Sequence, residues 1–167
     1  MPNSGTIQRF YPPEFRHCYG CGQESEHGLR LESGWEGDDV VARFQPRAEH
    51  ISVPGYVYGG LLASLIDCHA MATAAAQTER NAGLVVGAQP AARYVTAALH
   101  VDFLRPTPLG VELVLRARVT ETGRRKIVVA VSLTAADIET VRGQVVAVPM
   151  PVTMETKAAG GSPPSSS

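Results

Sequence analysis

The 167-residue chain has only three cysteines, 6% aromatic residues and no surplus of either charge, and each shortage excludes a class of protein. Three cysteines, two of them three positions apart, cannot make a disulfide framework for a chain of this size, and their odd number suits a reducing compartment. Fifteen Lys+Arg against sixteen Asp+Glu leave a formal charge of -1, so no overall positive field is available to hold nucleic acid or an anionic membrane. The longest strongly apolar stretch, Gly59 to Met71, is interrupted by Asp67 and His69 and falls short of the roughly 20 apolar residues that span a bilayer. The N-terminal MPNSGTIQRFYPPEF has no basic start leading into an apolar run, so a secretory signal is not expected and a cytoplasmic location is.

What is present fits one globular domain of ordinary composition, 44% hydrophobic, with no internal repeat. Residues 1–16 carry three prolines and no hydrophobic period and read as an arm lying over the domain surface or mobile. The folded unit is expected over 17–152. Residues 153–167 end in GGSPPSSS and read as a flexible tail, because small polar residues bury too little to offset their ordering entropy. Leu29 to Trp35 and Asp39 to Phe44 predict a hairpin around Gly37-Asp38. Gly59 to Arg80, rich in helix formers and apolar on nearly every face, predicts a buried helix closed by Asn81-Ala82-Gly83. Arg93 to Leu104 alternates, with Val95, Ala97, Leu99, Val101 and Phe103 on one side and Thr96, Ala98, His100 and Asp102 on the other. Val111 to Thr120, Lys126 to Leu133 and Val141 to Val148 supply three more strands with no room for crossover helices. The fold class is therefore α+β, a curved antiparallel sheet wrapped around one long central helix.

Asp67 is the most informative residue, a carboxylate between Ile66 and Cys68 in the middle of that apolar helix. Burying it without partners costs several kcal/mol, so it is either a helix position that meets solvent or a general base or nucleophile. Gly59-Gly60 opens the same helix, where small residues let a ligand approach exposed N–H groups and the positive end of the helix dipole; tight helix packing is the alternative for the glycines. At 1.5 Å rise per residue, Asp67 lies about 12 Å along the axis from Gly59. One helix cannot apply both to one carbonyl. If both act on the same atom, the carboxylate of one subunit must meet the glycine end of another, across a two-fold interface.

The string HISVPGYVYGGLLASLID, followed about thirty residues on by TAALHVDFLRPTPLG, resembles the hot-dog-fold acyl-CoA thioesterases, in particular the phenylacetate-pathway (PaaI-type) group. The opening CYGCGQESEHGLRL is similar to the corresponding segment of relatives like the human thioesterase superfamily member 4. The resemblance spans roughly 17–148. It implies hydrolysis of an acyl-CoA by a homodimer or a dimer of dimers, with no cofactor and no metal. Asp67 becomes the catalytic carboxylate, the Gly59 N–H the donor to the thioester oxygen, and Thr96 the hydroxyl that helps hold the water. Gly60 joins the substrate-binding end of the helix. Two positions depart from the family pattern. Tyr58 stands where a His is usual and Ser52 where an Asn or Gln is usual, and both keep a hydrogen-bonding group while losing an imidazole and an amide.

Three further features have alternative readings. Cys18 and Cys21, with His27 nearby, have zinc-ligand chemistry, but with no second Cys or His pair at ligand spacing the preferred reading is a loop packed over the domain. His69 and His100 read as satisfied polar neighbours. Arg124, Arg125 and Lys126 at a hairpin turn are either a solvated tip or the partners of the CoA phosphates. The competing function is a non-catalytic hot-dog dimer that binds CoA or acyl-CoA. Hot-dog dehydratases are disfavoured, because their Gly-Asp-x-Asn-Pro type of motif is absent.

Overall fold

The protein is described by a computed structural model covering residues 5–155. Strands β1 (Ser33–Glu36) and β2 (Asp39–Phe44) form the expected hairpin, its turn carried by Gly37 at φ 64°. Helix α1 (Gly59–Asn81) follows, and then β3 (Tyr94–Phe103), β4 (Leu113–Thr122), β5 (Ile127–Ala135) and β6 (Ile138–Pro149). All pairings are antiparallel and the strand order is β1-β2-β4-β5-β6-β3. The last strand returns to pair β3, which closes a six-stranded sheet without a crossover helix.

Alternation along the strands decides which face meets α1. Leu113, Leu115 and Ala117 of β4 lie opposite Ala135, Leu133 and Val131 of β5, and all six are buried. Their common face covers the helix, whose Leu65, Ile66, Ala70, Ala72, Ala74, Ala75 and Ala76 have no exposed surface. By length and composition α1 could cross a membrane, but here it is the core helix under the sheet. It is not buried all round. Gly60, Ala63, Ser64, Asp67 and Cys68 are each only half-buried and recur at i, i+4, so one stripe along the N-terminal half of α1 escapes the sheet.

From residue 5 onward the N-terminal arm is built into this core. Ile7, Gln8 and Tyr11 are buried, and the described part is therefore neither a surface strap nor loose. A relay explains the attachment. The Gln8 amide donates to Ser33 Oγ (3.0 Å) while its oxygen accepts the Ser33 N–H (2.8 Å), and Ser33 Oγ lies 2.9 Å from His69 Nδ1. His69 Nε2 lies 3.0 Å from the Val40 carbonyl, which can only accept. The proton is thus on Nε2, Nδ1 accepts from Ser33, and burial lowers the imidazole pKa to about 4, which keeps it neutral. His69 is the satisfied core histidine expected of it. Residues 1–4 and 156–167, which hold the start of the arm and most of the tail, lie outside the described residues.

Close contact between β6 and α1 depends on Gly143, where an added Cβ would overlap Ile66 Cγ2. Gly143→Ala is expected to destabilise the fold by about 1–3 kcal/mol through overpacking. Combining it with Ile66→Ala should cost less than the sum of the two single changes by about 1 kcal/mol or more in denaturant titrations. Strict additivity would show that the contact does not limit sheet-to-helix spacing.

Candidate active site

Asp67 sits on the uncovered stripe of α1, one residue after the buried Ile66. Thr96 Oγ1 donates a hydrogen bond to its Oδ1. Simple alternation along β3 would place Thr96 with His100 and Asp102 on the face turned from the helix. The pairing with β6 shows why it is not there. Thr96 lies opposite Ala147 but Ala98 lies opposite Val146, a bulge that adds one residue to β3. Ala147, Val145, Gly143 and Val141 face the helix, so their partners Thr96, Leu99, Val101 and Phe103 do too. Val95 and Ala97 leave the predicted inner set, and Thr96 enters it.

Removal from water, the largest influence, raises the Asp67 pKa above the ordinary carboxylate range. Donation from Thr96 opposes that shift, and the neighbouring Cys18 adds to it. The result is a carboxylate with more proton affinity than an exposed one, held in a fixed orientation. Such a group can take a proton from water or attack a carbonyl.

The glycine end of α1 belongs to a different part of the surface. No side chain caps the helix, and the first engaged helical N–H groups are those of Leu61 and Leu62, both bonded to the Tyr58 carbonyl (3.1 and 3.3 Å). The Gly59 and Gly60 N–H groups are left pointing out of the helix end. Their approach is set by the preceding turn, in which Tyr58 N–H donates to His50 O (2.8 Å) and Val57 N–H to Thr107 O (2.9 Å). Ser52 closes that turn, its N–H bonded to Tyr56 O (3.0 Å) and its hydroxyl donating weakly to the Tyr56 and Val57 carbonyls (3.4 and 3.5 Å). Ser52, Gly59 and Phe103 line one cleft of about 520 Å³. The exposed Tyr58 ring lies over Gly60, where a Cβ would overlap it.

Within one chain, then, Ser52, Tyr58, Gly59 and Gly60 gather at one end of α1, Asp67 and Thr96 pair near its middle, and neither Asp67 nor Thr96 lines the Ser52–Gly59 cleft. Arg124, Arg125 and Lys126 line a shallow depression of about 200 Å³ beside Thr78 and Asn81, at the other end of the helix. Lys126 pairs with Glu121 (3.2 Å), whereas the two arginines make no ion pair among the described residues. His100 pairs with Asp102 (3.1 Å) on the outer face of β3. Sequence reasoning missed the position of Cys68. It meets Cys18 and Cys21, while the exposed His27 stands apart beside Glu26 (3.9 Å). Its place directly after Asp67 was the one available signal.

A family model described as the thioesterase superfamily matches residues 54–142, which covers the turn before α1, the helix, strands β3 to β5 and the start of β6. The chain belongs to the thioesterase superfamily. Its helix wrapped by an antiparallel sheet is the hot-dog fold. Among solved structures, a thioesterase superfamily protein from Shewanella loihica PV-4 is 43% identical, with a TM-score of 0.61 over 76% of this chain and 96% of that one. The Escherichia coli PaaI protein of the phenylacetic acid degradation operon is 18% identical, with a TM-score of 0.60 over 74% and 81%. The Streptococcus mutans UA159 protein smu.793, solved bound to acetyl-CoA, is 18% identical, with a TM-score of 0.56 over 72% and 88%. No curated protein matches the sequence.

For this thioesterase the bulge makes a specific demand on Thr96. Thr96→Val keeps the shape and removes the donor, and should lower thioester hydrolysis about tenfold while changing stability by less than about 1 kcal/mol. Thr96→Ser should retain most of the activity. Equal turnover in all three proteins would leave Thr96 no part in orienting the carboxylate.

Proposed function

We propose that the chain is an acyl-CoA thioesterase that works as a homodimer, with each site built from Asp67 of one subunit and the Gly59 N–H of the other. The observation that carries this reading is the pairing of a half-buried, Thr96-bound Asp67 with an uncapped glycine helix end about 12 Å away on the same axis. Asp67 takes a proton from water, the water oxygen bonds to the thioester carbon, and the oxyanion is held by the Gly59 N–H at the positive helix end. Collapse breaks the C–S bond and releases the acid and the CoA thiolate. Ser52 and Tyr58 border the carbonyl end of the cleft.

Two surfaces support assembly in this form. Strand β3 is an edge ten residues long, and it exposes Leu99 and Phe103 on the face that also carries Thr96. Unpaired edges of this length invite another strand. Beside it lie the exposed Ile51, Val53, Tyr56 and Tyr58 and the half-covered stripe of α1 that holds Asp67, a continuous apolar margin of the kind that marks an interface. The acetyl-CoA bound by the Streptococcus mutans relative of the same fold supports the substrate class.

Subunit mixing tests the composite site. Asp67→Asn should lower hydrolysis by at least ~100-fold, the smallest contribution usual for a positioned base. Gly59→Pro removes the N–H and adds a ring whose Cβ meets Phe103 at ordinary contact distance (3.4 Å). Proline suits the first helical position, and Tyr58 before it already has the extended backbone that proline requires (φ -62°, ψ 128°). Co-expressed, the two inactive chains should recover about a quarter of wild-type activity, because half of the dimers carry one intact site. No recovery from well-folded mixed dimers would place both groups of a working site in one chain. Full activity of Asp67→Asn would remove Asp67 from the mechanism, whereas a wild-type protein that binds acyl-CoA without hydrolysing it would be a CoA-binding module.

The basic turn is assigned to the CoA phosphates in the same reading. Replacing Arg124, Arg125 and Lys126 together by Ala should raise KM for acyl-CoA and weaken its salt dependence, yet leave turnover of a short pantetheine thioester unchanged, since that substrate lacks the nucleotide. Unchanged KM for acyl-CoA would make the turn a solvated tip.

A further inference from the structure

Thioester hydrolysis makes no use of the three thiols that the fold assembles beside Asp67. Cys18 and Cys21 stand on a tight loop laid over α1 where Cys68 emerges, and the three Sγ atoms all lie within 4.8 Å of one another. Cys18 and Cys68 Sγ are 3.9 Å apart. A tetrahedral zinc ion with Zn–S bonds of about 2.3 Å spaces its sulfurs about 3.8 Å apart, so small rotamer adjustments bring this cluster to that geometry.

The loop is built in advance of any ligand. Gly22 N–H donates to Cys18 O (2.8 Å), Leu29 N–H to Tyr19 O (2.7 Å) and Leu31 N–H to Gly20 O (3.0 Å). A Cβ on Gly20 would overlap Cys68 Sγ, so only a bare backbone can lie against that thiol. Hydrogen bonds from the Cys21 and Cys68 thiols, and from the backbone N–H groups of Cys21 and Gly20, favour the Cys18 thiolate strongly. The same hydrogen bonds to Cys18 push the Cys21 and Cys68 thiols up, Cys21 to about 12.

Arg93 supplies a positive charge next to this cluster. Its guanidinium lies over the Tyr11 ring (4.2 Å) and its charge reaches Cys21, yet its buried Nε has no hydrogen-bond partner among the described residues. A fixed cation thus lies within reach of Cys21, in a cluster whose one favoured anion is the Cys18 thiolate. With a divalent ion and three thiolates the cluster would be a net anion, and Arg93 its counter-charge.

We propose that Cys18, Cys21 and Cys68 together bind one zinc ion, with water in the fourth position. Binding releases the protons still held by the thiols, involves no change of oxidation state, and clamps the 18–22 loop to α1 next to Asp67. The proposal does not rest on the thioesterase mechanism and would stand if Asp67 were inactive.

Cobalt(II) and zinc(II) titrations of the reduced, chelator-treated full-length protein test it without reference to activity. One equivalent of cobalt should produce thiolate-to-cobalt charge-transfer absorption and intense tetrahedral visible bands, both bleached by zinc. Zinc should raise the melting temperature and protect all three cysteines from alkylation, read residue by residue by mass spectrometry. Cys68→Ala should abolish the tetrahedral spectrum while His27→Ala leaves it intact. Absence of charge transfer in wild-type protein with three free thiols would overturn the proposal. Zinc protection confined to Cys18 and Cys21 would also overturn it, and needs no variant to fold.

Discussion

Everything in this molecule is arranged around a 23-residue helix that is apolar over most of its circumference and must therefore be covered on most sides. A flat sheet covers one face only. Here the strands curve about the helix, the alanine-rich second half of α1 lets them approach closely, and Gly143 admits Ile66 where β6 crosses it. The N-terminal arm then closes the remaining side through Ile7, Tyr11 and the Gln8–Ser33–His69 relay. Along the N-terminal half of α1, what stays half-covered among the described residues is the stripe that carries Asp67.

That exception is where packing turns into chemistry. A carboxylate on a fully covered helix would stay unpaired and expensive, and one on a fully open helix would keep an ordinary pKa. At the margin of the sheet Asp67 is partly desolvated yet reached by a hydroxyl, so its basicity rises while its orientation is held. The bulge at Ala97 makes this possible by turning Thr96 inward without disturbing the Leu99, Val101 and Phe103 face. The same margin carries the β3 edge, which has no further strand partner among the described residues, and the Gly59 cleft.

Much of this was legible in the residues. The helix and the long strands follow from periodicity, because a buried face must repeat at 3.6 or 2 residues, and their observed limits differ from the predicted ones mainly at the ends. The first hairpin was expected to begin at Leu29, but Leu29 and Leu31 instead bond the Cys18–Cys21 loop, and β1 starts at Ser33. The arm was read as external because proline spacing says nothing about whether Ile7 and Tyr11 have a cavity to fill.

By itself the sequence determined the fold class, the central helix with its carboxylate and glycine end, and the superfamily resemblance, since each rests on local pattern or on a contiguous motif. Only the tertiary structure decided which face Thr96 presents, because a one-residue bulge reverses strand parity and depends on the partner strand. It also decided that Cys68 joins Cys18 and Cys21, a meeting of residues fifty positions apart set by where a loop crosses a helix. Separations along one helix are fixed by its rise, whereas contacts between elements are fixed by packing that no local pattern encodes.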